Sequence, residues 1–456
     1  MQDSLHARAG RLSGELKPML RLALPLVFGQ LSAVGMNVVD AVLAGHLDAH
    51  TLAAVAVGTS IWSLAIVTAL GVMMALPPSV AQLNGAGRHE AIGPLFRQAI
   101  WLALALGVLL TAVTALLGPR LVVLIGVDPA LIADTTLFLH AIAFGAPALT
   151  LYFGLRGLSE GLGMTRPTLY FGLLGLALLG PLGYVLMYGR LGLPRLGAFG
   201  SGIATALVLW LQLAAFAIYV RLRPQYRELA PFARMERPDP RALRELLHIG
   251  LPMGVTLLME ASLFVAVALA LGTLGTDIVA SHQIALNVAS IAFMVPLGLA
   301  MASTVRVGHA VGRGDMMAVR RAGWVGMLLT LATQAVSASL MLFLPTRIAG
   351  LYTGDVAVAA LAAQLLVLAG LFQFSDGLQV AANGALRGLK DTRIPMLITL
   401  FAYWVVGMPV GGWLAFHQGL GARGMWMGLI AGLSVAAVLL PWRFWRLTRR
   451  SRADFQ

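Results

Sequence analysis

The sequence has no cysteine, and lysine supplies only two of its 32 basic residues. Without cysteine there is no disulfide and no thiolate metal site. Charge of either sign is scarce: 11% of the 456 residues are Asp, Glu, Lys or Arg, where a soluble domain carries about 25%. No HExxH or GxSxG pattern occurs, and no nucleophile–base pair is recognisable, so a membrane-embedded enzyme has nothing to support it. The basic residues, mostly arginine, are scattered over short segments, which excludes a nucleic-acid surface. What fills the chain is apolar: 59% of residues are hydrophobic and mean hydropathy is +0.85. This is the composition of an integral membrane protein. The first apolar run, 19–45, is too long for a signal-peptide core and contains Asp40, so no cleavable signal is expected.

Twelve apolar runs are long enough to cross a bilayer: 18–45, 52–82, 96–118, 136–155, 168–188, 199–220, 246–272, 278–308, 321–345, 357–385, 396–416 and 423–445. Only helices or closed barrels satisfy the backbone in lipid, and runs this long without alternation are helices. Of the 32 Lys and Arg residues, 27 fall in the termini and the even-numbered connections. The positive-inside rule then places both termini and the charged segment 221–245 in the cytoplasm. The predicted organisation is an N-terminal tail 1–17, a six-helix bundle 18–220, a linker 221–245, a second six-helix bundle 246–445 and a C-terminal tail 446–456.

The two halves repeat each other. LPLVFGQLS at Leu24 answers LPMGVTLLM at Leu251, and NGAGR at Asn84 answers VGRGD at Val311, all at an offset of 227. RGL recurs at Arg156 and Arg387, and LGAFG at Leu196 answers LGARG at Leu420. An even number of spans per half makes the repeats parallel, the build of transporters that alternate access around a path between their halves. The predicted fold class is all-α, with twelve transmembrane helices in two pseudo-symmetric six-helix bundles. Pro25 and Pro252 fall early in the first span of each half, where proline removes a hydrogen bond and favours a kink.

Of the nineteen acidic residues, sixteen lie in tails, connections or span edges. Asp40, Glu260 and Asp376 lie inside apolar spans, and none has a Lys or Arg within one helical turn. A charge at that depth costs about 2.5–3.5 kcal/mol on insertion scales, so each is a functional-site candidate. Structural hydrogen bonding to neighbouring helices explains one such acid more readily than three. A carboxyl group away from water retains a proton until an arriving cation stabilises the ionised form, and that competition is the physical basis of antiport. The repeat counterparts of Asp40, Glu260 and Asp376 are Val267, Ala33 and Gly145, so the second half holds two acids and the first half one. Gln30, Asn37, Gln283, Asn287, Gln373, Gln379 and Asn383 are polar residues in the same spans, suited equally to helix–helix contact and to ligand contact. His140 reads as a core residue. The His46, Asp48 and His50 group is discounted as a metal site, and Gly419–Gly424 as a dinucleotide loop, because no strand precedes it.

These segments resemble the multidrug and toxic compound extrusion (MATE) family, in its NorM-like branch. The likeness rests on VVDAVLAGHL around Asp40, LLMEASLF around Glu260, ASHQIALNVAS with FMVPLGLAMASTVRVGHAVG after it, and LFQFSDGLQVAANGALRGLKDT around Asp376. It spans essentially the whole chain. The resemblance implies a monomeric secondary transporter of the bacterial inner membrane. It exports bulky, often cationic compounds against Na⁺ or H⁺ and needs no cofactor. It further implies that Asp40, Glu260 and Asp376 handle the coupling ion, and that Phe264, Gln283 and Phe293 join Glu260 and Asp376 in contacting substrate. Family members usually carry two Asn residues in span 5 that help the span-1 Asp hold a cation. Here Leu179 and Gly183 stand in their place, while the further ligand position is kept as Thr205. Asp40 is therefore expected to bind a proton or contribute little, rather than form a Na⁺ site. A flippase for a lipid-linked or amphiphilic substrate is the alternative from the same superfamily. Such proteins tend to hold basic residues in the cavity, and none is expected deep in a span here.

Overall fold

A helix satisfies every backbone group within one segment, and helix makes up 88% of the described residues. The computed structural model describes residues 2–233 and 236–449, with side chains from Gly14 onward. The helices of the first half are α1 (Gln2–Leu47), α2 (Ala49–Met73), α3 (Leu76–Gly85), α4 (His89–Ala112), α5 (Gly118–Leu124), α6 (Pro129–Ala143), α7 (Ala146–Gly161), α8 (Arg166–Tyr188), α9 (Gly197–Leu222) and the short α10 (Pro224–Arg227). Those of the second half are α11 (Pro240–Gly272), α12 (Thr276–Gly312), α13 (Met316–Phe343), α14 (Pro345–Gly350), α15 (Val356–Gly388), α16 (Arg393–Leu400), α17 (Met408–Gly412) and α18 (Gly421–Arg449). Wider π turns at Val113–Leu117, Phe401–Gly407 and Trp413–His417 join α4 to α5, α16 to α17, and extend α17.

Among the described residues eleven helical stretches are long and apolar enough to span a bilayer, and α6 with α7, bent by 43°, makes a twelfth if the pair is one span. The bend follows from Gly145 and Pro147, since proline at the start of α7 cannot donate back into α6. Pro77 and Pro78 likewise separate α3 from α2. The second half has Thr304, Val305 and Leu378 at the repeat positions, and α12 and α15 run unbroken. The repeat thus shares its topology but not its breaks. The first helix also starts at Gln2, so it runs through the segment expected as a tail.

The chain forms two compact units, residues 28–254 and the remainder. The divisions fall inside α1 after Val27 and inside α11 after Gly254, again 227 residues apart and two residues past Pro25 and Pro252. Each half therefore lends the start of its first helix to the other unit. In the unit containing residues 255–456, Met19, Ala23 and Leu26 of α1 form a core with Leu299 and Ala302 of α12. Glu15 there accepts two hydrogen bonds from Arg306, at 2.6 and 2.9 Å. In the unit of residues 28–254, Leu246, Ile249 and Met253 of α11 pack with Val72 and Met73 of α2. The close points are repeat equivalents: a Cβ on Gly298 would lie 2.4 Å from Val27, and one on Gly71 would lie 2.3 Å from the Cα of Gly254.

The charged segment after α10 is fastened to α4 within its unit. Arg97 donates to the Ala230 carbonyl at 2.8 Å and to Glu236 at 2.6 Å, and the Trp101 indole donates to the Glu236 carbonyl at 2.8 Å. Gln98 bonds the backbone of Arg237 and Asp239.

A side chain at Gly71 or Gly298 must push a helix backbone aside. Gly71→Leu and Gly298→Leu are each expected to cost about 1–3 kcal/mol, read as an earlier thermal unfolding of purified protein in detergent. Gly14→Ala, with open space around its Cβ, is expected to leave the transition in place.

Candidate functional site

Three helical segments bring the polar groups of the 255–456 unit together. Glu260 sits half-buried at the middle of α11, and Asp376 lies on α15 with only 4% exposure. The π turn at 401–407 approaches α11 directly, for the Trp404 indole donates to the carbonyl of Met259 at 3.4 Å. The neighbouring Tyr403 is buried, and its hydroxyl has no hydrogen-bond partner. Glu260 lies within electrostatic reach of Asp376, Tyr403 and Arg387. Gln379 donates to Asp376 Oδ1 at 3.3 Å, one helical turn along the same helix.

Arg387, which the sequence reading placed in a connection, is helical and buried. It occupies the last turn of α15 with 4% exposure, and its Nε is buried without a partner. The signal was the RGL repeat, because its counterpart Arg156 is a buried ion-pair residue. Arg156 Nε donates to Glu160 Oε1 at 2.6 Å, its Nη2 donates to Gln30 at 3.0 Å, and Thr168 donates to Glu160 at 3.0 Å. Glu160, which the sequence placed at a span edge, is a buried carboxylate in addition to Asp40 and Asp376. Its repeat equivalent Asp391 pairs instead with Arg443 at 2.9 Å. Arg387 thus lacks the i+4 partner that Arg156 has, and its fixed charge is left facing Glu260.

Asp40 stands apart in the 28–254 unit, buried on α1. One hydroxyl serves it: Ser201 of α9 donates to Oδ1 at 2.6 Å. Ser201 escaped the sequence reading, which looked for the family's amides. Asn37, one turn before the acid on α1, is exposed and makes no hydrogen bond to it among the described residues, and Thr205 is half-buried. Leu179 and Gly183 are buried, and Leu179 forms an apolar cluster with Ala204 and Val208 against Met36 and Val39 of α1. Among the described residues no group of three or more His, Asp or Glu side chains is placed to hold a metal ion.

Of the residues expected to touch substrate, Phe264 is half-buried and meets Phe372 edge-on, with ring centroids 6.3 Å apart. On α12, Gln283 is exposed and Phe293 half-buried. No hydrogen bond or ring contact joins these two to Glu260 or Asp376 among the described residues. Several intramembrane amides have structural partners: Gln30 binds Arg156, Asn287 accepts from Tyr352 at 2.9 Å, and Gln373 binds Gln334. His140 is exposed, contrary to its reading as core. It meets the Ala115 carbonyl at 3.0 Å, in the π turn at 113–117. The His46, Asp48 and His50 group is likewise occupied. Asp48 caps α2, held below the usual carboxylate range first by hydrogen bonds from Thr51 and then by the charge of Arg195. His50 pairs with Asp134 at 2.8 Å.

Long intramembrane helices in two repeats, with acids buried inside them, define a secondary transporter rather than an enzyme. The MatE family model matches residues 25–186 and again 252–413, displaced by the same 227 residues as the repeat, and the chain belongs to that family. It is 50% identical over 447 residues to the probable multidrug resistance protein NorM of Xanthomonas campestris pv. campestris, covering 97% of this chain and 96% of the relative. It is 46% identical over 448 residues to the multidrug resistance protein PmpM of Pseudomonas aeruginosa, covering 97% and 94%. The fold matches the crystal structures of the eukaryotic MATE transporter AtDTX14 (TM-score 0.87, 21% identity, 97% and 99% of the two chains) and of the Vibrio cholerae MATE transporter VcmN in the bent form (0.85, 20%, 96% and 98%).

The buried Arg156–Glu160 pair gives a structural test. Arg156→Met or Glu160→Gln alone leaves its partner without the opposite charge and is expected to cost about 3–5 kcal/mol. The double variant is expected to recover most of that loss in the thermal unfolding of purified protein.

Proposed function

We propose that this protein is a proton-coupled antiporter that exports bulky organic cations across the bacterial inner membrane, with Glu260 and Asp376 as the exchange pair. One observation carries the reading: two carboxylates from different helices share one electrostatic environment within an apolar unit. Two such acids repel each other when both are charged, so the pair favours one positive charge nearby, whether a proton or a cationic substrate. The multidrug resistance names of NorM and PmpM support the substrate class. The parallel repeat suits alternating access, and the distribution of Arg supports cytoplasmic termini. Phe264, Gln283 and Phe293 are proposed substrate contacts. A monomer in the lipid bilayer suffices for this scheme, and it requires no cofactor.

The choice of H⁺ over Na⁺ rests on the ligand sets: among the described residues no group of three or more His, Asp or Glu side chains is placed to hold a metal ion, at the exchange pair or at Asp40. A hard cation wants several oxygen ligands, and Asp40 has one hydroxyl and an apolar wall at Leu179. Arg387 is the observation that favours the flippase alternative. A single buried guanidinium beside a carboxylate, however, offers no positive surface for a phosphate head group.

Glu260→Gln and Asp376→Asn are each expected to lower export of a fluorescent organic cation at least about tenfold, while the protein still inserts in the membrane at normal levels. Asp40→Asn is expected to retain most of the flux. Normal flux in a well-inserted Glu260→Gln variant would overturn the assignment.

A further inference from the structure

One face of α15 changes character along its length. Its first half presents Leu365, Ala369 and Phe372, all buried. Its second half presents Gln373, Asp376, Gln379, Asn383 and Arg387, each 5% exposed or less. At 100° per residue these five fall within an arc of about 120°, and Val380 is the one apolar residue between them. Buried polar groups are costly unless each finds a partner. Gln373 has Gln334, and Gln379 has Asp376. Asn383 has no hydrogen-bond partner among the described residues, and Arg387 Nε is buried without one. The flank beside this stripe is close-packed: a Cβ on Gly384 would lie 2.4 Å from the Ala300 carbonyl oxygen, and one on Gly388 would lie 2.7 Å from Val307.

We propose that the stripe Asp376–Gln379–Asn383–Arg387 is the hydrated route by which a proton passes between the acid pair and the cytoplasmic end of α15. The inference rests on the antiporter reading and adds a path to it. Unmet donors and acceptors in a polar row are where ordered water binds and links side chains into a chain. A proton needs only such a chain. The O–H bond of the protonated carboxyl breaks as one to the first water forms, and one proton leaves at the inner end. A Na⁺ ion needs several oxygens at one point. The stripe spaces its carboxamides about one turn apart, and Arg387 contributes donors only. Because the other half of the face is apolar, the route opens toward one side of the membrane only.

The absence of native cysteine makes the test direct. Asn383→Cys, Gln379→Cys and Ala369→Cys are placed singly in the full chain. Inside-out membrane vesicles are then treated with a small water-soluble methanethiosulfonate. The first two are expected to react at least about tenfold faster than the third; equal rates overturn the route. In proteoliposomes, Asn383→Leu is expected to lower pH-gradient-driven efflux of tetraphenylphosphonium about tenfold or more. Exchange of labelled for unlabelled compound at equal pH should be unchanged, and Asn383→Gln should restore driven efflux. Equal loss of both fluxes would show a merely structural role and overturn the proposal. Wild-type efflux driven by Na⁺ alone overturns the proton route and leaves the exporter reading standing; efflux driven by neither gradient overturns the exporter reading itself.

Discussion

A carboxylate inside an apolar helix bundle is tolerated only when something nearby shares its charge, and this constraint organises the 255–456 unit. Glu260 and Asp376 come from different helices, Tyr403 of a π turn lies within electrostatic reach of both, and Arg387 adds a positive charge from the last turn of α15. None of these groups is tied into a closed hydrogen-bond network. Tyr403 and Arg387 retain unmet donors, whereas the comparable Arg156–Glu160 pair in the other unit is fully engaged with Gln30 and Thr168. The contrast separates an ion pair with satisfied partners from the group proposed here as the exchange site.

Duplication supplies the frame and divergence supplies the site. Gly71 against Gly254 and Val27 against Gly298 are one contact made twice, and both accept the start of the opposite half's first helix. Around that shared frame the halves differ. Proline breaks α2 from α3 and α6 from α7 in the first half only, while the second half keeps α15 continuous through Asp376 to Arg387. An unbroken helix there allows the acid and the four polar positions that share its face to stand in one line.

The helical architecture was legible because hydropathy acts over whole segments. The twelve spans, the 227-residue repeat and the three intramembrane acids needed no coordinates. The environment of each acid was less legible, since it depends on which helices meet. Ser201 is 161 residues from Asp40, and Tyr403 approaches Glu260 through a π turn that propensity does not signal. Arg387 looked like a loop residue because α15 continues past the last hydrophobic position. Glu160 looked like a span-edge acid for the same reason. His140 read as core because a π turn in another helix offers it a carbonyl outside.

The central claim is that one site, Glu260 with Asp376, holds either a proton or a cationic substrate. The most direct measurement is proton release into weakly buffered solution when purified protein in detergent binds tetraphenylphosphonium. The account predicts release from the wild type and from Asp40→Asn, and none from a Glu260→Gln/Asp376→Asn double variant that still folds. Binding without release in the wild type, or equal release from the double variant, would contradict it.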